Sequence, residues 1–139
     1  MKRDAIGVGW PVAIGEAARL SGVSAKMVRH YEGLGLLPRV ARTDSGYRQY
    51  GEADVHTLRF IKRSRELGFS MEEIGELVGL WQNRRRTSAS VRKVAQKHAE
   101  DLAQRIAHMQ EMQRTLQHLI HCCHGDDRPE CPILEELAR

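Results

Sequence analysis

The three cysteines of this 139-residue chain, Cys122, Cys123 and Cys131, fall close together near one end, and His121 and His124 flank the first two. A secreted disulfide framework spreads an even number of cysteines along a chain. An odd, clustered set in a reducing compartment points instead to metal or redox chemistry. Cys123 and Cys131 enclose a segment containing Gly125, Asp126, Asp127 and Pro129, a loop short enough to bring both sulfurs together. Two thiolates with no other firm ligand suit a soft ion that accepts linear coordination, Cu(I) or its congeners Ag(I) and Au(I). Zinc prefers four ligands in a tetrahedron, and His121 and His124 are placed to complete such a set, so Zn(II) stays open. Cys122 reads first as a small buried residue on the last turn of a helix, and the two histidines as surface or helix C-terminal charge partners. A metal-free thiol redox sensor would need accessible thiols of low pKa, and adjacent Cys122 and Cys123 would close only a strained ring. A metal buffer using the loop alone leaves the first half of the chain unexplained.

Positioning such a loop requires a stiff support, and the residues before it supply one. Ala95, Ala99, Leu102, Ile106, Met109, Gln113, Leu116 and Ile120 follow one another at alternating spacings of four and three, with charged residues around them and no Gly or Pro between. That pattern is a long helix with one narrow apolar seam, as in a coiled coil. No second long helix is available within the chain, so the seam implies a second copy, a homodimer with Gln113 setting the register. His98, His108 and His118 read as solvated positions on this helix. Beyond the loop, Pro132 suits the first position of a short helix carrying Ile133, Leu134 and Leu137.

The other half of the chain is basic. Residues 1–65 hold twelve Lys/Arg against six Asp/Glu, whereas residues 66–139 hold ten against twelve, so the first half is the one that seeks a polyanion. Ile14, Ala17, Ala18 and Leu20 form a short helix face stopped at Ser21-Gly22, and Ser24 N-caps a second helix to about Leu34. Gly33, Gly35 and Pro38 end it. Two short helices joined by a glycine turn, the second bearing Lys26, Arg29, His30 and Tyr31, make a helix-turn-helix. Arg39 to Tyr50, with the turn triplet Asp44-Ser45-Gly46, reads as a β-hairpin wing with Val40 on one strand, presenting Arg42, Tyr47 and Arg48 to DNA backbone or minor groove. A competing reading puts Tyr31 in the core and has Tyr47 and Tyr50 pack the wing onto the domain. A helix over Glu52 to Leu67 faces inward through Val55, Leu58, Phe60, Ile61 and Leu67. A capping box of Ser70 and Glu73 then starts Met71 to Trp81, with Ile74, Leu77, Val78 and Trp81 inward. Arg84, Arg85 and Arg86 lie in a charged hinge.

These motifs resemble MerR-family transcription regulators. The match runs through Ile14-Gly15-Glu16-Ala17-Ala18, through Val28-Arg29-His30-Tyr31-Glu32-Gly33-Leu34-Gly35-Leu36-Leu37-Pro38, and through Asp44-Ser45-Gly46-Tyr47-Arg48-Gln49-Tyr50, with the long helix following in the same place. The resemblance implies a winged-helix dimer held by an antiparallel coiled coil. It also implies binding to a pseudo-palindromic site in an overlong promoter spacer, where effector binding untwists the double-stranded DNA so that RNA polymerase engages both promoter elements. Distortions of this kind cost a few kcal/mol, which a small shift in the dimer can tip. Within the family, Cys123 and Cys131 followed by Pro132, with Ser88 ahead of the long helix, look like the copper-efflux (CueR/HmrR-like) members. Members that sense divalent ions typically carry a cysteine at the position of Ser88, supplied across the dimer, so serine there implies a monovalent ion. Cys122 departs from that pattern and puts strict two-coordination in question. Metal capture is expected to order the loop and dock the terminal helix toward the junction with the DNA-binding half.

The expected fold is therefore mainly α. It comprises an arm over 1–11, a winged helix-turn-helix DNA-binding domain over 12–81 with its wing at 39–50, and a hinge over 82–90. A dimerisation helix over 91–121 and a metal-binding loop with terminal helix over 122–139 follow. The sequence shows no nucleophile-base arrangement, no phosphate-binding glycine loop and no clustered catalytic carboxylates, so an enzyme is not expected. It has no run of eighteen apolar residues and no apolar leader, which predicts a cytoplasmic protein without a membrane partner.

Overall fold

The computed structural model describes residues 9–37 and 41–139. Most of the expected arm, the helix stop at Pro38 and the strand positions Arg39 and Val40 lie outside the described residues. The chain divides into two compact units, Met1–Val94 and Ala95–Arg139. No described helix is long and apolar enough to cross a membrane.

In the first unit, helix α1 (Ile14–Ser21) ends at Gly22, whose φ of 74° is the left-handed conformation that closes a helix without a Cβ penalty. The turn is tightened by Ser21, whose hydroxyl oxygen accepts the Val23 amide at 3.2 Å. Helix α2 (Ala25–Gly33) starts at Ser24, which accepts the Met27 amide. Strands β1 (Ala41–Arg42) and β2 (Arg48–Gln49) pair antiparallel, Ala41 with Gln49 and Arg42 with Arg48. Between them, Gly46 at φ 86° turns the chain and Thr43 accepts the Tyr47 amide through its hydroxyl. Helix α3 (Glu52–Glu66) begins where Asp54 accepts the Gly51 amide at 2.8 Å. Helix α4 (Met71–Gln82) opens on the Ser70 and Glu73 capping box, both of whose bonds are present.

Helix α1 packs on α2 and α3, and α3 packs on α4. Their shared core contains Ala17, Val28, Tyr31, Tyr50, Val55, Leu58, Ile61, Ile74 and Val78, all buried. Each large aliphatic residue fully buried there contributes about 1.5–3 kcal/mol before entropy is counted. Two residues expected inward are not. Leu67 is exposed at the C-cap of α3, one residue past the last helical position. Trp81 is 55% exposed because the last turn of α4 runs past the aliphatic core, leaving the indole edge-on to Phe60 with ring centroids 4.6 Å apart.

Helix α5 (Ser88–Cys122) starts earlier than the expected position near Val91. Thr87 accepts the Ser90 amide through its hydroxyl at 3.2 Å, so Ser88 to Ser90 form the first helical turn rather than the end of a hinge. In the second unit α5 continues to Cys122, and helix α6 (Pro132–Leu137) follows the loop with Pro132 in its first turn. Ile106, Met109, Leu116 and Ile120 of the apolar seam are exposed, as are Leu134 and Leu137 of α6. His98, expected on a solvated face, is only 5% exposed; an imidazole tolerates burial when neighbouring groups engage it, as they do here.

Candidate nucleic-acid interface and thiolate loop

Lys26, Arg29 and His30 are all exposed on α2, and their spacing of three and four puts them on one stripe of the helix. On the wing, Arg42 is exposed and Tyr47 is 74% exposed. Together these side chains offer long donors and an aromatic face of the kind that reads phosphates and groove edges. Tyr31 does not join them. It is 3% exposed, and its hydroxyl oxygen accepts from Arg65 Nη1 at 2.8 Å, so its ring belongs to the core. The cause is helical phase: Tyr31 falls with Val28 on the inward side of α2.

Arg48 is held rather than free. Its Nε lies 2.7 Å from one carboxylate oxygen of Glu32 and 3.0 Å from the other. The Tyr50 hydroxyl donates to the same carboxylate at 3.1 Å. Arg48 and Tyr50 are two residues apart on an extended segment, hence on one face, and both meet Glu32 near the end of α2. Glu32 thus ties wing to recognition helix. Burial, reinforced by the neighbouring Glu32 carboxylate, pushes the Tyr50 phenol up to about 12, while the charges of Arg48 and Arg29 oppose the shift. Sequence reasoning passed over Glu32; the alternation of Arg48 and Tyr50 was the available signal, but their partner lies sixteen and eighteen residues away. Arg59 was also missed. Its Nε and Nη2 donate to the Leu20 carbonyl at 3.0 and 2.8 Å, satisfying a carbonyl at the end of α1 from another helix.

At the other site, Cys122 is the last residue of α5 and Cys123 follows it, its amide still bonded to the Leu119 and Ile120 carbonyls. Gly125 at φ 65° turns the chain away. Asp126 accepts the Arg128 amide at 2.9 Å and its Nε at 2.8 Å, and the Arg128 side chain holds the Asp126 carboxyl below the usual carboxylate range. Cys131 caps α6, its carbonyl accepting the Glu135 amide. The loop is therefore bounded by a half-buried thiol at each end, with an internal turn that fixes its middle. Cys122 is exposed, against the expectation of burial, and lies 3.8 Å from His118 Nε2 one helical turn back. His121 and His124 are exposed. Among the described residues, no three or more His, Cys, Asp or Glu are gathered as a set that could hold a metal ion.

Residues 12–79, spanning the helix-turn-helix, the wing, α3 and most of α4, match the model of MerR HTH family regulatory proteins. The chain is 58% identical over 125 residues to heavy metal-dependent transcription regulator 2 of Rhizobium meliloti (strain 1021), across 90% of this chain and 85% of that protein. The chain belongs to the MerR family. A second MerR model, described as MerR, DNA binding, matches residues 55–119. The HTH-type transcriptional regulator HmrR of Sinorhizobium medicae (strain WSM419) is 56% identical over 126 residues, covering 91% of this chain and 86% of that one. Among solved structures, the transcription regulator PbrR691 from Ralstonia metallidurans CH34, in complex with lead(II), is similar with a TM-score of 0.81 at 28% identity. That match covers 91% of this chain and 98% of PbrR691. As a MerR-family protein the chain is a transcription regulator and not an enzyme. The two MerR models together span residues 12–119, so both end before Cys122 and the cysteine loop lies beyond them.

Proposed function

We propose that this MerR-family regulator binds promoter DNA as a homodimer and activates metal-efflux genes when Cu(I) is held by Cys123 and Cys131. Ag(I) and Au(I) would be accepted in the same way. The observation that carries the reading is the pair of half-buried thiols bounding a loop whose turn is already fixed by Asp126 and Arg128. Two soft donors suit a monovalent soft ion. Ser88, exposed on the first turn of α5, supplies no third thiolate where the resemblance implies that divalent sensors have one. The name of the heavy metal-dependent relative supports metal response in general. Lys26, Arg29, His30, Arg42, Tyr47 and Arg48 are assigned to DNA, with Arg48 set in place by Glu32. The exposed seam of α5 joins a second copy, and RNA polymerase is engaged through the distorted promoter.

The lead(II) complex of PbrR691 favours a second reading, a divalent ion such as Zn(II) that also recruits Cys122 and the flanking histidines. Anaerobic titration of the reduced protein with Cu(I) and with Zn(II), each against a competing chelator, separates the two, with X-ray absorption on the loaded forms. One Cu(I) per protomer bound linearly by two sulfurs, and lost in Cys123→Ser and Cys131→Ser, is expected. Copper activation that survives either substitution would remove the assignment.

A further inference from the structure

We infer that α5 carries a second metal-binding pair, His118 and Cys122, separate from the thiolate loop and suited to a borderline divalent ion such as Zn(II). The two residues are four apart on an uninterrupted helix, so their side chains rise from the same stripe one turn from each other. Both are exposed, and His118 Nε2 lies 3.8 Å from Cys122 Sγ. Zinc binds sulfur at about 2.3 Å and imidazole nitrogen at about 2.0–2.1 Å, which places two donors of a tetrahedral ion roughly 3.6 Å apart. An ion therefore fits between the two atoms after an adjustment of a few tenths of an ångström. The thiol gives up its proton to solvent on binding, and water completes the coordination, since the pair faces outward.

The donor set distinguishes this pair from the loop. One imidazole with one thiolate matches zinc, whereas two thiolates match a soft monovalent ion. Successive residues on a helix point about 100° apart, because the helix has 3.6 residues per turn. Cys123, still helical in its amide bonds, is half-buried while Cys122 is exposed beside His118. His118 thereby engages the extra thiol on its own stripe and leaves the loop with two. The inference rests on the loop holding its ion through Cys123 and Cys131 alone, since a loop ion that recruited Cys122 would take the thiol from His118.

The test uses the full-length reduced protein carrying Cys123→Ser and Cys131→Ser. It is titrated with Zn(II) against a chromophoric chelator, and with Co(II) to read thiolate-to-cobalt charge-transfer absorption. One ion per protomer should still bind with a thiolate band. Adding either His118→Ala or Cys122→Ser should abolish the band and weaken Zn(II) binding by about tenfold or more. His118→Ala in the otherwise unaltered protein should take up Cu(I) as the parent does. The proposal is overturned if the double-serine protein shows no thiolate band with Co(II), if His118→Ala leaves band and affinity unchanged, or if His118→Ala also loses Cu(I).

Discussion

At the scale of single residues, Glu32 decides more than its neighbours. Its carboxylate takes a guanidinium from the wing and a phenol from the end of β2, and its own side chain is mostly shielded. Glu32→Ala should cost about 1.5–3 kcal/mol in urea unfolding, because hydrogen bonds to a charged group are lost and a buried hydroxyl is left without its acceptor. DNA affinity should fall in the same variant, since Arg48 loses its fixed position. Tyr50 adds a pH signature. Its phenol is pushed up to about 12 by burial, from the usual value near 10. Below pH 10 folded and unfolded chains both keep the proton and its contribution is constant. Between about 10 and 12 the unfolded chain sheds a proton that the folded chain retains, so stability falls as pH rises. Tyr50→Phe should flatten that part of the alkaline profile relative to the parent, as read from urea midpoints. Lys26 and Arg29 were legible in the sequence because helical spacing alone places them outward. Glu32 and Arg59 were not, because their partners come from distant segments and leave no local pattern.

At the scale of elements, what could be read was what is local. Ser24, Ser70 with Glu73, and Gly22 act within one turn of their own helix ends, so residue type and spacing suffice to identify them. What could not be read depended on where a neighbouring element stops. Trp81 and Leu67 continue the apolar phase of their helices but outrun the surface that covers it. The start of α5 was misplaced because Thr87 caps a turn that carries little apolar periodicity. The clustering of the cysteines was legible in the sequence, while the contact of Cys122 with His118 required the helix to extend to Cys122. Gly22 joins α1 to α2 at a positive φ, and a Cβ there would stand 2.7 Å from the Lys62 ammonium. That lysine can move, so the cost of Gly22→Ala is chiefly backbone. A loss of about 1–2 kcal/mol in thermal or urea unfolding is expected.

At the scale of the molecule, α5 is the longest element, 35 residues, or about 52 Å at 1.5 Å per residue. Its isolated seam shows Ile106, Met109, Leu116 and Ile120 to solvent, and a helix with such a stripe gains stability by covering it. Replacing Ile106 and Met109 together by Glu should convert the dimer to monomer in sedimentation at micromolar concentration. DNA affinity should then drop steeply, because one protomer holds only half of a two-fold site. A protein that stays dimeric after both changes would relocate the interface. The basic half of the sequence predicts a second molecular property: affinity for promoter DNA should fall with salt in proportion to the phosphates contacted.

Val12 and Tyr50 exchange two main-chain bonds, each 2.8 Å, so the segment preceding α1 closes against the end of the wing. In terms of opening events, this divides the wing into a base and a tip. The base cannot separate without breaking a bond on each side of a buried residue, whereas the turn at 43–47 opens alone. Deuterium should therefore enter the Val12 and Tyr50 amides slowly and together, and the tip amides quickly. The tip can thus open while the base keeps its place beside α2.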